Sequence, residues 1–185
     1  MPNYKTITDE QLVGMVVSGK KELFYHLVKR YETKLARYIF TITNRKNDVD
    51  DVLQNVFLKA YKNLPTFDNH LKFSSWIYRI AHNESVNFIG NGFIQKFISM
   101  PDWFDMGAKD NTEEELDNRQ IKKQLKNCVE QLDLKYKEPL ILFYYEEKTY
   151  DEISDILRIP IGNVGVLIHR GKLQVKKICY EKNSR

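Results

Sequence analysis

The chain has 185 residues, of which 42% are hydrophobic and 29% charged, and its net charge is +4. This balance, together with 11 Tyr and 10 Phe, is that of a globular protein and excludes a disordered chain. No apolar run approaches the ~18 residues that a membrane span needs, and the N-terminus lacks the apolar core of a signal peptide. We therefore expect a protein without membrane insertion.

Charge is distributed in three blocks. Residues 1–92 carry 13 Lys/Arg and 9 Asp/Glu, residues 93–120 carry 3 and 7, and residues 121–185 carry 13 and 9. A single charged run is usually a solvated face, but two basic blocks around an acidic connector favour two modules that bind a polyanion.

Two helices are predicted at the start of the first basic block. Thr8 and Gln11 have the spacing of a capping box, in which each side chain hydrogen-bonds the other residue's backbone, and Gly19 ends this first helix. Apolar residues at spacings of three and four over about 22–43 predict the second helix. Each helix would bury one apolar stripe, as the helices of a bundle do.

Two more helices complete this block. The third begins at Asn47 or Asp48, carries acids in its first turn that suit the helix dipole, and ends at Pro65. Its apolar residues recur at i, i+3, i+4 and i+7, which predicts one core-facing side. A polar and aromatic loop then leads to Ser74, the predicted cap of a fourth helix that ends near residues 91–92.

The next segment has no helical period. Residues 93–117 are aromatic in their first part and acidic in their second, which is typical of a linker. Helices resume near Asn118, and Pro139 is predicted to open another helix, where its missing N–H costs nothing.

A pair of helices follows. Thr149 and Glu152 have capping-box spacing before a short helix, residues 158–160 make a tight turn, and a helix that becomes basic toward its end begins after Pro160. Two helices joined in this way describe a helix-turn-helix. The predicted fold class is therefore all-α, with two small helical domains joined by a linker.

The two cysteines, Cys128 and Cys179, have no CxxC or Cys/His spacing, so no metal site is predicted. We expect ordinary buried or half-buried residues with reduced thiols, as in a cytosolic protein. A redox pair stays open, because the two ends of the second domain could meet.

Three motifs in this order resemble the extracytoplasmic-function (ECF) sigma factors of bacterial RNA polymerase. They are "DVDDVLQNVFLKAYKNLPTF" at 48–67, "FSSWIYRIAHN" at 73–83, and "YDEISDILRIPIGNV" with "HRGK" at 150–172. The resemblance covers almost the whole chain. It implies a region 2 domain at 6–92, a linker at 93–117 and a region 4 domain at 118–182.

The resemblance also implies a function. The chain would bind core RNA polymerase, recognise the −10 and −35 elements of promoter DNA, both double-stranded and melted, and initiate transcription. It would work in the bacterial cytoplasm, be held inactive by an anti-sigma protein, and need no cofactor, metal or catalytic residue of its own.

On the third helix, Asp51, Gln54, Asn55 and Leu58 fall on a side away from the apolar stripe. Asp51 and Gln54 match the family motif that docks on the polymerase clamp, whereas the family more often has Glu where Asn55 stands. Leu58 would suit a buried anchor of such an interface. Without the resemblance, the same residues describe a solvated polar face.

The loop and the fourth helix contain the residue types that melted DNA needs. Aromatic faces stack unpaired bases, cations hold phosphates, and an asparagine can read a base edge. The resemblance assigns the loop to −10 specificity and Asn83 to the flipped base. The predicted −10 contacts are Phe67, Asp68, Asn69, His70, Leu71, Lys72, Phe73, Arg79 and Asn83. Trp76, in contrast, is predicted to be a core residue from its helical spacing.

On the last helix, a predicted core stripe includes Val164, Ile168 and Gly171. The family commonly has cations at 165 and 167, where this chain has glycine and leucine. We therefore expect −35 recognition that is weak or has an altered sequence preference. The predicted −35 contacts point outward from the helix and are Asn163, Gly165, Val166, His169, Arg170, Lys172 and Lys176.

Two other functions stay open at this point. The uncharged middle of the last helix favours a sigma-like regulator that acts mainly through protein–protein binding, with weak or no −35 reading. A free-standing helix-turn-helix repressor would explain residues 140–180 but leave 48–83 unused. No nucleophile–base pair, glycine-rich phosphate loop or metal set predicts an enzyme.

Overall fold

The computed structural model describes residues 6–90 and 124–183. Over these residues the chain is largely helical and divides into two compact units, one containing residues 6–90 and the other most of 124–183. The predicted all-α fold class is confirmed. The predicted linker at 93–117 and the predicted domain boundaries at 92 and 118 lie outside the described residues.

The described part of the first unit contains four α-helices. Their bounds are α1 (Asp9–Val17), α2 (Phe24–Thr43), α3 (Val49–Asn63) and α4 (Phe73–Gly90). The predicted capping box of α1 is confirmed, because Thr8 N donates to Gln11 Oε1 at 3.1 Å and Gln11 N donates to Thr8 Oγ1 at 3.2 Å. Gly19 follows the helix with φ 114°, in the left-handed region that glycine adopts without strain.

The core of the first unit lies between α2, α3 and α4. The buried side of α3 consists of Val49, Val52, Val56 and Ala60, at the spacing that the sequence predicts. Two residues that continue the predicted apolar stripe are less buried: Phe57 is partly buried and Tyr61 is exposed. Burying each large apolar side chain stabilises the unit by about 1.5–3 kcal/mol. The narrow stripe leaves most of the α3 surface accessible.

Two acids of α1 join this helix to the rest of the unit. Asp9 accepts hydrogen bonds from Arg30 and from the hydroxyl of Tyr31 on α2. Glu10 Oε1 accepts from the backbone N of Phe73, the first residue of α4, at 2.9 Å. The predicted cap at Ser74 is therefore wrong: Ser74 lies inside α4, and an acid from another helix satisfies the amide at the helix start.

The second unit contains a helix over 124–130, here α5, followed by α6 (Leu134–Tyr144), α7 (Tyr150–Leu157) and α8 (Ile161–Asn183). The prediction that Pro139 opens a helix is wrong, because α6 begins one turn earlier and Pro139 lies inside it. A proline at this position removes one hydrogen bond of the helix. The buried leucines and isoleucine that follow Pro139 in α6 offset that loss.

The predicted helix-turn-helix is formed by α7 and α8. Thr149 caps α7, since Glu152 N donates to Thr149 Oγ1 at 3.3 Å and Thr149 N donates to Glu152 Oε2 at 2.8 Å. Arg158 turns the chain with a left-handed φ of 56°. Val164 and Ile168 of α8 are buried, as predicted. Local capping and apolar spacing thus fix both helices of the motif.

Cys128 on α5 and Cys179 on α8 form a disulfide, with their Cα atoms 5.7 Å apart. The prediction of two reduced thiols is therefore wrong for this structure. The sequence leaves a redox pair open on the ground that the two ends of the second domain could meet, and the two cysteines do meet. The beginning and the end of the described second unit meet at this bond.

Candidate nucleic-acid and protein interfaces

The four residues predicted to bind polymerase share one exposed side of α3. Asp51, Gln54, Asn55 and Leu58 are all exposed, and the buried stripe of α3 lies on the other side of the helix. Leu58 is 50% exposed although it is apolar. A solvent-exposed leucine among polar side chains offers apolar surface that a binding partner could bury. The arrangement is therefore suited to a protein interface.

Hydrogen bonds of Asp68 order the loop between α3 and α4. Asp68 Oδ1 accepts from His70 N at 2.9 Å, and the Asp68 carbonyl oxygen accepts from Leu71 N at 2.9 Å. An aspartate that hydrogen-bonds the backbone two residues on is a common turn former. Asp68 to Lys72 are all exposed, so this part of the loop presents a short, mostly polar segment to solvent.

Beneath this loop lies a cluster of aromatic rings. Phe73 is fully buried and Phe67 is 8% exposed, with ring centroids 5.8 Å apart. Trp76 is only partly buried, and its centroid lies 5.2 Å from that of Phe67 and 5.6 Å from that of Phe73. The expectation that Trp76 is a core residue is met in part, because its ring packs on both phenylalanines but stays partly exposed. The two phenylalanines support the loop from below, and Trp76 is the ring of the three that solvent reaches.

Trp76 is the first of three predicted or candidate contact residues on one side of α4. Trp76, Arg79 and Asn83 follow one another at spacings of three and four, so they share one side of the helix. Asn83 is exposed and Arg79 is partly buried. An aromatic face, a cation and an amide thus stand in a row beside the loop, which is the combination that an unpaired base and its phosphate require.

The predicted −35 residues of α8 fall on different sides of the helix. Asn163, Val166, His169 and Arg170 are exposed. Gly165 is half-buried, and a Cβ built there would lie 3.3 Å from Cε2 of Tyr150 on α7. The prediction that Gly165 points outward is therefore wrong. Its position next to Val164 places it at the edge of the core stripe, where the tyrosine ring of α7 covers it.

Lys172 and Lys176 line a groove of the second unit with a volume of about 570 Å³. Lys172 Nζ lies 5.1 Å from the centroid of the Tyr144 ring, and a hydrogen bond with Tyr144 raises the pKa of Lys172. Lys176 Nζ lies 5.8 Å from the centroid of Tyr180. Both cations are exposed, yet they belong to the side of α8 that faces tyrosines.

Sequence reasoning missed the tyrosines of this groove. Tyr144 and Tyr145 are 50% and 52% exposed at the end of α6, and they line the groove together with Leu140 and Ile141. Exposed tyrosines around an apolar depression are typical of protein interfaces. The run Phe143-Tyr144-Tyr145, three aromatic residues at the end of a predicted helix, was the signal that could have indicated them.

At 6–90 and 124–183, no group of three or more His, Cys, Asp or Glu residues could hold a metal ion. No helix in the same ranges is long and apolar enough to cross a bilayer.

Comparison with known proteins assigns both units to one family. Sigma-70 region 2 matches residues 27–91, and sigma-70 region 4 matches residues 122–175. The chain is also 30% identical over 179 residues to the ECF RNA polymerase sigma-E factor of Haemophilus influenzae, over 92% of this chain and 94% of that protein. The chain belongs to the ECF sigma factors. The predicted family is thereby confirmed.

Other relatives of this sigma factor agree. The ECF RNA polymerase sigma factor SigW of Bacillus subtilis is 28% identical over 174 residues, covering 89% of this chain and 93% of SigW. The solved structure of the sigma factor RpoE of Bartonella quintana, in complex with the anti-sigma factor NepR, has a TM-score of 0.63 at 16% identity. It covers 84% of this chain and 95% of RpoE, and the likeness is one of fold.

The family establishes the general function. A sigma factor binds core RNA polymerase, recognises promoter elements and initiates transcription, so the predicted function is confirmed at this level. The alternative of a regulator that acts mainly through protein–protein binding is not favoured.

Proposed function

We propose that the two units of this sigma factor divide promoter recognition between them. Residues 6–92 would bind the polymerase clamp and the −10 element, residues 118–182 would bind the −35 element, and 93–117 would connect them. The observation that carries the proposal is the order of the two family matches, each of which contains an exposed set of the residues in question.

In region 2, α3 and α4 would have different partners. The α3 side that carries Asp51, Gln54, Asn55 and Leu58 binds polymerase, with Leu58 as its apolar anchor. The loop Asp68–Lys72 and the α4 side with Trp76, Arg79 and Asn83 bind the melted −10 strand. The burial of Phe67 and Phe73 supports an indirect role for both, in which they hold the loop and Trp76 in position.

In region 4, the −35 element would be read by the outermost residues of α8. Asn163 can pair with an adenine, Val166 can contact a thymine methyl group, and Arg170 can bind a guanine or a phosphate. His169 lies beside them and is exposed. Lys172 and Lys176, which face the groove tyrosines, contribute less to base reading and more to the general attraction of DNA.

The proposed role implies a cellular compartment and two protein partners. The protein would act in the bacterial cytoplasm, where its polymerase is, and the polymerase would supply the catalytic chemistry. An anti-sigma protein would hold it inactive. The support for that partner is the fold relative RpoE, which was solved in complex with an anti-sigma factor.

The experiment that tests the proposal is promoter selection by reconstituted holoenzyme. The purified chain is combined with core polymerase and offered a DNA library with two randomised blocks at the −10 and −35 distances, and the transcribed templates are sequenced. We expect enrichment in both blocks. The Arg170→Ala variant should lose enrichment in the −35 block and keep it in the −10 block.

Failure would take one of two forms. A chain that neither binds core polymerase nor supports run-off transcription would contradict the proposal as a whole. Enrichment in the −10 block alone, unchanged by Arg170→Ala, would contradict the reading assigned to α8 and leave the region 2 assignments in place.

A further inference from the structure

The disulfide of the second unit joins helices that are far apart in sequence. Cys128 and Cys179 are separated by 51 residues and are the two cysteines of the chain. Cys128 is on α5, whose Leu125 and Val129 form part of one wall of the groove. Cys179 lines the same groove from α8. The bond therefore ties two walls of one groove together.

The two cysteines differ in exposure. Cys128 is 1% exposed, whereas Cys179 is partly exposed and faces the groove. A thiolate that enters the groove from solvent therefore meets Cys179 before the buried Cys128. Lys176 lines the groove beside Cys179 and attracts an anionic attacker. The site has a direction of attack and a defined leaving group.

The proposed function places this bond in a reducing compartment. Disulfides of cytosolic proteins are usually transient and serve catalysis or redox sensing, because glutathione and thioredoxin-class dithiols reduce them. We propose that Cys128–Cys179 is a reversible redox modification site, in which a dithiol attacks Cys179 and the bond, while intact, stabilises region 4 and the groove. The reducing setting rests on the proposed function, whereas the exchange chemistry does not.

Reduction of the bond takes two thiol–disulfide exchange steps. A thiolate of the dithiol attacks Cys179 Sγ, the Cys128–Cys179 bond breaks, and Cys128 leaves as a thiolate that takes a proton from solvent. The second thiol of the reductant then attacks the mixed disulfide and releases Cys179 as a thiol. The dithiol is oxidised to a disulfide, and its two electrons reduce the two cysteines. An oxidant of the disulfide class reverses the reaction.

Reduction should loosen region 4 more than region 2, since both cysteines belong to the second unit. A cross-link over 51 residues restricts the unfolded chain, and its loss lowers the stability of the folded unit. For a unit of this size we expect a fall in its melting temperature on the order of 10 °C. Region 2 should melt at the same temperature in both redox states.

The test uses the full-length chain equilibrated in buffers of oxidised and reduced dithiothreitol. Free thiols are alkylated and counted by mass spectrometry, and melting is followed by calorimetry in each state. The Cys128→Ser/Cys179→Ser double variant is the matched control, because any effect of the buffer other than on this bond persists in it. Run-off transcription by holoenzyme from a promoter that depends on its −35 element is measured in the same buffers.

We expect conversion between zero and two thiols, a lower melting temperature for the reduced form, lower −35-dependent transcription when reduced, and no redox response in the double variant. Thiols that stay free in the oxidising buffer, cross-linked dimers in place of an internal bond, or equal melting temperatures would overturn the inference. If no form supports transcription, the proposed function fails, while alkylation and melting still decide whether the site is redox-active.

Discussion

Helices α3 and α8 both carry residues that helical spacing predicts to contact a partner. The two helices differ in how many of those residues lie on one exposed side. On α3, the four predicted residues lie together on one exposed side. On α8, the predicted residues divide among an exposed side, a position covered by Tyr150, and a groove lined by tyrosines. The buried stripe of α3 is narrow, whereas on α8 Tyr150 lies over Gly165 and Tyr144 contacts Lys172.

The difference shows where helical phase is a reliable guide. Phase identifies the side of a helix that packs in the core, and the remaining surface is exposed only if no large side chain from another helix lies over it. Gly165 and Lys172 are both outside the core stripe of α8, and Tyr150 and Tyr144 lie beside them. Contact residues on α8 therefore have to be chosen by exposure as well as by phase.

The largest effect is expected from a substitution on the exposed side of α3. Leu58→Asp should weaken binding to core polymerase about 100-fold or more, because it places a charge at the apolar anchor of the proposed interface. The measurement is equilibrium binding of the labelled sigma factor to core polymerase. Val86→Asp, an exposed apolar position on α4, is the matched control. Equal losses in the two variants would contradict the assignment of this α3 side.

A second, smaller effect concerns the core side of α8. A Cβ at Gly171 would lie 2.8 Å from Leu140 Cδ1 and 3.3 Å from the carbonyl oxygen of Tyr136. Gly171→Ala should therefore lower the free energy of unfolding of the second unit by about 1–3 kcal/mol. Thermal unfolding of this unit is the measurement.

The matched control for that variant is on the opposite side of the same helix. A Cβ at Gly162 meets none of the described atoms within 4 Å, so Gly162→Ala should leave stability unchanged or raise it by about 0.5–1 kcal/mol. If both variants raise stability, α6 and α8 are not packed as closely as the distance from Leu140 requires.

A third prediction separates the outer side of α8 from its groove side. Arg170→Ala should reduce discrimination between a preferred and a scrambled −35 element by about tenfold, because a base contact is worth about 1–3 kcal/mol. Lys172→Ala should leave that discrimination nearly unchanged, since Lys172 faces Tyr144. The ratio of run-off transcripts from the two templates is the measurement, and the reverse ranking of the two variants would contradict the proposed division of α8.

The smallest effect is a pH dependence at Tyr31, whose ring centroid lies 5.6 Å from that of Phe73. Burial raises the pKa of Tyr31 above its ordinary value of 10, and the hydrogen bond to Asp9 adds to the shift. A raised pKa means that neutral Tyr31 contributes its full stability below pH 10 and loses it as the pH rises further. Tyr31→Phe should cost about 1 kcal/mol at pH 7 and flatten the loss of stability above pH 10.

Urea unfolding between pH 7 and 10.8 measures this dependence. Tyr25→Phe is the control, because Tyr25 is exposed on the same helix and should leave the pH slope unchanged. Identical slopes for the wild-type chain and Tyr31→Phe would show that the buried tyrosine does not titrate with unfolding.

Features that depend on neighbouring residues in sequence were predicted correctly. The capping boxes at Thr8 and Thr149, the end of the first helix before Gly19 and the fully buried positions of the α3 and α8 stripes are all local. The resemblance then supplied the family and the general function from three short motifs. Local hydrogen bonding and helical period need no knowledge of the rest of the fold, which is why the sequence was sufficient for them.

The sequence by itself determined the helices, their buried sides, the order of the two units and the family. Tertiary structure alone decided that Glu10 rather than Ser74 meets the first amide of α4, that Trp76 is more accessible than Phe67 and Phe73, and that Cys128 and Cys179 are bonded. Each of these depends on which side chain of a distant helix reaches a given point in space. Residue spacing along one helix carries no information about that distance.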